Sequence, residues 1–206
     1  MFLTLILSSL LTFVELNCEN LFDTRHDSLK NDVEFLPEGS YKWTPYRYWT
    51  KLNHLGQEIV AQSNSIPDFV AMCEVENDSV MFDLTKRSLL RNAGYEYVMT
   101  SSPDERGIDV ALLYQPASFA LLHSHSIRIK PLPDTRPTRD ILYASGLIIT
   151  GDTLHVFVVH APSRRGGEQV SRPYRLQVAS QLAEAVDSVY AISRDAKIII
   201  AGDFND

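Results

Sequence analysis

The sequence predicts an α/β fold in which a two-sheet β-sandwich is flanked by helices, four layers deep (α/β/β/α). Three observations predict it. Short runs rich in Val, Ile, Leu and Phe recur along the chain. Amphipathic helical segments precede two of those runs, so the middle of the chain reads as a meander of strands. The 206 residues are 45% hydrophobic and 22% charged, which suffices for one domain with a sizeable core.

The strands fall, in order, at Thr12–Asn17, Asp68–Glu74, Tyr95–Thr100, Ile108–Tyr114, Ala120–Ile129, Tyr143–Thr150, Thr153–His160 and Lys197–Gly202. The first helix, Tyr46 to Ser63, spaces Trp49, Leu52, Leu55, Ile59 and Val60 on one stripe. The second, Ser79 to Asn92, is closed by Gly94. The third, Arg172 to Ser193, carries Leu176, Val178, Ala179, Leu182, Ala183, Val186 and Val189, with Pro173 near its start. Gly151-Asp152 reads as a hairpin turn, and Pro131 to Pro137 as an exposed loop. The aromatic stretch Tyr41 to Trp49 tempts a base-stacking reading, but aromatics at a helix start more often pack its stripe.

The formal net charge of −7 disfavours tight non-specific binding to long DNA, which needs a basic excess. It does not exclude a phosphate substrate, because a bound cation supplies local positive charge. Cys18 and Cys73 match no metal framework and read as small buried thiols. Residues 1–13 are apolar, uncharged and too short to span a membrane. They read either as a signal-like segment or as the start of the first strand, with residues 14–206 forming the domain. A signal would imply a secreted or periplasmic protein, and its absence a cytoplasmic one. No obligate protein partner is indicated.

The chemistry gathers where apolar strands end. Phe69 to Cys73 runs into Glu74, and Ile198 to Gly202 runs into Asp203. Either acid alone could be a helix cap or a solvated turn residue. Two further strands end in Asn17-Cys18-Glu19 and in His160-Ala161-Pro162-Ser163-Arg164-Arg165. Together these are parts for hydrolysing a phosphate ester. Carboxylates hold a hard cation such as Mg²⁺, the cation polarises a phosphoryl oxygen, a carboxylate accepts a proton from water, and amide, imidazole and guanidinium groups stabilise the charge.

The ordered set NCENLFD, AMCEVEN, RGIDVALLY, HAPSRRGG and IIIAGDFND resembles the endonuclease/exonuclease/phosphatase family, from Val14 to Asp206. That family includes pancreatic-type deoxyribonuclease, exonucleases, abasic-site endonucleases, sphingomyelinases and inositol-phosphate phosphatases. The resemblance implies Glu74 as principal ligand of Mg²⁺ (or Mn²⁺), with Asn17 and Glu19 assisting. It implies His160 facing the scissile phosphate, Asp203 orienting or deprotonating the attacking water, and Asn205 and Asn17 contacting phosphate. Glu19 could equally be a solvated loop acid. Arg164 and Arg165 flank the flexible Gly166-Gly167 and suit phosphate contact, though a solvated basic turn is the plain alternative. Arg106 and Asp109 read as a supporting ion pair or as a surface pair worth little.

The expected function is metal-dependent hydrolysis of phosphate esters, first as a nuclease-like phosphodiesterase, so a phosphate-ester substrate and nucleic acid are the partners in view. Phospholipid or inositol-phosphate hydrolysis, and a catalytically inactive binding module of the same fold, are the alternatives. One departure bears on this. The family pattern ends with a Ser-Asp-His-type motif after a further strand, and no Asp-His pair follows Gly-Asp-Phe-Asn here. The expectation is therefore a truncated domain, incomplete at its C-terminus, inactive by itself and prone to self-association along an open strand edge.

Overall fold

The computed structural model describes residues 11–62, 65–133 and 135–205. The choice between a signal and a strand for the apolar start falls mainly on residues 1–10, which lie outside the described residues. The first strand opens at Phe13.

Two four-stranded mixed sheets are present. The first holds β1 (Phe13–Leu21), β2 (Phe69–Val75), β3 (Glu96–Met99) and β4 (Asp109–Tyr114), in the order β1-β2-β4-β3. The second holds β5 (Phe119–Ile127), β6 (Ile141–Ile148), β7 (Thr153–His160) and β8 (Lys197–Asp203), in sequence order. Parallel strands need a long crossover, and each parallel pair has a helix to provide it. α1 (Pro45–Ala61) joins β1 to β2, and α3 (Glu168–Ile192) joins β7 to β8. All other pairings are antiparallel.

The near-continuous apolar strands are explained by burial on both faces. Along β2, Val70 and Met72 face α1, while Phe69, Ala71 and Cys73 face the second sheet. Along β7, Leu154, Val156 and Val158 face the first sheet, while Phe157 and Val159 pack under α3 with Val178 and Leu182. Side chains alternate at period two, so one strand feeds two cores. Three cores between four layers result, as the sequence predicts.

The helices differ in detail. α1 is capped by Thr44, whose side chain accepts from the Arg47 amide, and Pro45 opens it. It buries Tyr48, Leu52, Leu55, Gly56 and Ile59, while Val60 faces solvent. The predicted helix at Ser79–Asn92 is broken into α2 (Asp78–Phe82), a π-turn (Asp83–Arg87) and a 3₁₀ turn (Leu89–Asn92). The Thr85 and Ser88 hydroxyls donate to the carbonyls of Met81 and Leu84, one turn back, which loosens the helical ladder. α3 starts four residues earlier than predicted, at Glu168, and Pro173 lies inside it. Arg175 holds this early turn, donating to both Glu168 oxygens at 2.8 Å and to Ser171 Oγ at 2.8 Å. Leu176, placed on the apolar stripe by spacing, is exposed.

The aromatic stretch packs as expected. Trp43 is buried and donates its indole N–H to the Phe22 carbonyl at 2.9 Å, and Tyr48 is buried in the α1 core. Cys18 and Cys73 are free, buried thiols. Among the described residues, no helix is long and apolar enough to cross a membrane.

Candidate active site

The two parallel pairs bring four strand ends to one rim. Asn17 lies opposite Cys73, one residue before Glu74, and His160 lies opposite Asp203. The strands end irregularly there. The register of β2 slips at Glu74 against both neighbours, and Glu74 has φ 61°. Glu19 (φ 49°), Asn20 (φ 62°) and Asn205 (φ 55°) share this left-handed conformation, and only Lys42 joins them among the described non-glycine residues. Such backbone costs on the order of 1–3 kcal/mol per residue and persists only where the surroundings hold it. Bulges of this kind re-aim side chains.

Specific bonds hold the strained turns. The Asn20 amide donates to Glu74 Oε2 at 2.8 Å, and the Glu19 amide to Asn17 Oδ1 at 2.8 Å. Lys51 on α1 donates to the carbonyls of both Glu19 and Asn20. The Asn205 amide donates to Asp203 Oδ1 at 2.9 Å, while Asn205 Nδ2 donates to the Ala161 carbonyl at 3.0 Å. Gly202 has φ 124°, and a Cβ there would stand 1.9 Å from the Val159 carbonyl oxygen, so only glycine lets β8 approach β7 this closely.

The two sheets meet at these groups. Asn17 Nδ2 donates to Asp203 Oδ2 at 3.0 Å across the sandwich. His160 Nε2 lies 3.7 Å from Glu74 Oε1 and 4.0 Å from Asp203 Oδ2, near both carboxylates but beyond hydrogen-bond length. Those carboxylates favour an imidazolium. Burial opposes it, and with the charges of Arg139 and Arg106 pushes His160 down to about 3. The ring is therefore neutral, and its buried Nδ1 has no hydrogen-bond partner among the described residues. Burial also pushes the Cys73 thiol up to about 12, so it is not a nucleophile.

The remaining candidates sort by position. Arg164 Nε reaches the Asn205 carbonyl at 3.2 Å and lies 3.5 Å from Glu168. Arg165 lines a neighbouring cleft. The Glu19 side chain is exposed, and its hydrogen bonds run through its backbone. The expected Arg106–Asp109 ion pair is not formed. Arg106 lies 3.9 Å from Asp104 instead. Asp109 is buried and accepts from Thr100 Oγ1 at 2.6 Å and from the Ser102 amide at 2.9 Å. Desolvation dominates there and raises its carboxyl above the ordinary range. The spacing Arg-Gly-Ile-Asp misleads because Gly107, at φ 81°, turns the chain between them.

Two contributors escape the sequence reading. Arg139 is buried, pairs with Asp104 at 3.4 Å, and donates to the Ala161 carbonyl at 2.8 Å. Its signal is a charged residue at the start of an apolar strand. β6 runs antiparallel to β7, so its N-terminal end lies beside the C-terminal end of β7. Lys51 is indistinguishable in sequence from a solvated helix lysine, yet its pKa is lowered by burial.

No three His, Cys, Asp or Glu side chains among the described residues converge as a closed metal cage. The donor set nonetheless fits a hard cation that keeps much of its water. Mg²⁺ is commonly held by one or two carboxylates plus substrate oxygens, and Glu74 supplies a carboxylate fixed by one hydrogen bond from the Asn20 amide and open on its other oxygen.

Comparison with curated proteins gives no match. Among solved structures, the human Nocturnin catalytic domain with bound sulfate is similar at TM-score 0.65 and 19% identity, covering 95% of this chain and 65% of that one. TDP2 of D. rerio in complex with a single-strand DNA product is similar at TM-score 0.59 and 18% identity, covering 95% and 61%. A mannosyl-6-phosphatase of Bacteroides thetaiotaomicron is similar at TM-score 0.63 and 17% identity, covering 95% and 65%. The chain thus spans under two thirds of the length of each, and at these identities the likeness shows a shared fold. A family model matches residues 12–206, nearly the whole chain, and with it the chain belongs to the endonuclease/exonuclease/phosphatase family.

Proposed function

We propose that this rim hydrolyses phosphate esters by in-line attack of water, with Mg²⁺ or Mn²⁺ as cofactor and nucleic-acid-type phosphodiesters as the first substrate class to test. The observation that carries the reading is the convergence of Asn17 and Glu74 from one sheet with His160 and Asp203 from the other. Two of the similar structures support its range, one a complex with a DNA product and the other a sugar phosphatase.

Each side chain has work it can do. Glu74, with Asn17 Oδ1 and Glu19 beside it, would hold the cation. When bound, that cation polarises a phosphoryl oxygen and acidifies water. Asp203 has both oxygens oriented, one by the Asn205 amide and one by Asn17, and remains partly exposed, so it can fix a water and accept its proton. Neutral His160 can donate an N–H to a phosphoryl oxygen without adding a second charge. Asn205 and Arg164 add donors at the same rim.

Calorimetry tests the cation. Mg²⁺ or Mn²⁺ binding should weaken by about tenfold or more in Glu74→Gln, which loses charge and keeps shape. Unchanged affinity would remove Glu74 from its role. With a phosphodiester substrate, Asp203→Asn should lower kcat by about a hundredfold to ten-thousandfold while leaving cation affinity close to wild type.

A further inference from the structure

Beside the rim lies a cleft of about 450 Å³ whose wall carries Arg106, Arg136, Arg139 and Arg165 against the carboxylates of Asp104 and Glu105. Four guanidinium groups against two acids leave the described lining cationic, in a chain whose net charge is −7. The floor is unsatisfied. Arg139 is 8% exposed, and its Nε–H has no partner among the described residues. The adjacent Thr138 Oγ1 is also buried without one, and both residues line the cleft. Arg139 Nε and Thr138 Oγ1 are thus orphaned polar atoms in two neighbouring residues that line one cationic cavity.

The cleft is coupled to the rim through one atom. The Ala161 carbonyl accepts from Arg139 Nη2 at 2.8 Å and from Asn205 Nδ2 at 3.0 Å. Arg139 thus stands one shared acceptor away from a residue assigned to the scissile phosphate.

We infer that the cleft bounded by Arg136, Arg139 and Arg165 binds a second, non-scissile phosphomonoester of the substrate. The inference rests on the phosphoesterase reading and names its substrate class as compounds bearing two phosphate groups. A monoester dianion offers three oxygens to guanidinium forks, whereas an internucleotide diester is a monoanion with two. The exposed Arg136 and Arg165 stand at the mouth, and the buried Arg139 at the floor.

Binding can be read without turnover. Phosphorus NMR titrations of the metal-free chain would use inorganic phosphate, dimethyl phosphate and adenosine 3′,5′-bisphosphate. The bisphosphate should bind about tenfold more tightly than inorganic phosphate, and dimethyl phosphate more weakly than either. Arg136→Ala/Arg165→Ala changes two exposed side chains and should abolish the bisphosphate preference, while Arg194→Ala, an exposed arginine beyond the end of α3, retains it. Absence of the preference in the wild-type chain, its survival in the double variant, or equal binding of dimethyl and inorganic phosphate would each overturn the proposal. Failure of the hydrolase reading shows separately, as unchanged cation binding in Glu74→Gln.

Discussion

At Gly202 the backbone of β8 passes so close to β7 that a methyl group has no room. Gly202→Ala combines that overlap with an unfavourable φ, so it should cost about 3 kcal/mol, read from the denaturant midpoint. Asp109 gives a graded case. Asp109→Ala leaves the Ser102 amide and Thr100 hydroxyl without their acceptor and should cost about 1–3 kcal/mol. Asp109→Asn keeps an acceptor oxygen and removes a buried charge. Its sign follows from the raised carboxyl pKa: the folded state retains the proton longer than the unfolded chain, so stability falls as pH rises above the ordinary carboxylate range. The amide should abolish that fall, and thermal melts across pH 4 to 8 would show it. Glu74 and Asp203 were legible in the sequence because a carboxylate closing an apolar run is conspicuous. Arg139 was not, because its place depends on the antiparallel direction of β6, and no residue near it announces strand direction.

Elements follow the sequence where periodicity is strong and depart where hydroxyls or long-range ion pairs intervene. All eight predicted strands exist, and β2, β4 and β7, buried on both faces, leave the least ambiguity. The segment after β2 has the spacing of one helix, and spacing cannot reveal that Thr85 and Ser88 turn their hydroxyls back on the helix. The early start of α3 was hidden for another reason. Gly166-Gly167 and Pro173 both read as breakers, whereas Arg175 reaches back two turns to clasp Glu168. Arg175→Ala should cost about 1–3 kcal/mol and fray the helix start, seen as faster amide exchange at Ser171 and Arg172 with the Val178–Val189 amides unchanged. Retained protection at Ser171 would show that Gly167 and Glu168 hold the start unaided.

Across the molecule, the rim takes Asn17 and Glu74 from one sheet and His160, Asp203 and Asn205 from the other. The Asn17–Asp203 bond can be weighed by a double-mutant cycle. The single changes Asn17→Ala and Asp203→Ala should be non-additive in stability, with a coupling of about 0.5–3 kcal/mol. Additivity would mean the sheets are held by the apolar layer alone. That layer, from Phe69 to Val158, lies between the two halves of the rim. Neither half can keep its geometry if the layer opens, so the rim has no local equilibrium of its own. Its assembly and the closure of the sandwich are one transition. Cation affinity and tryptophan fluorescence should then be lost at the same denaturant concentration. Any substitution that weakens the inter-sheet layer would lower the amount of competent protein without altering the affinity of the molecules that remain folded.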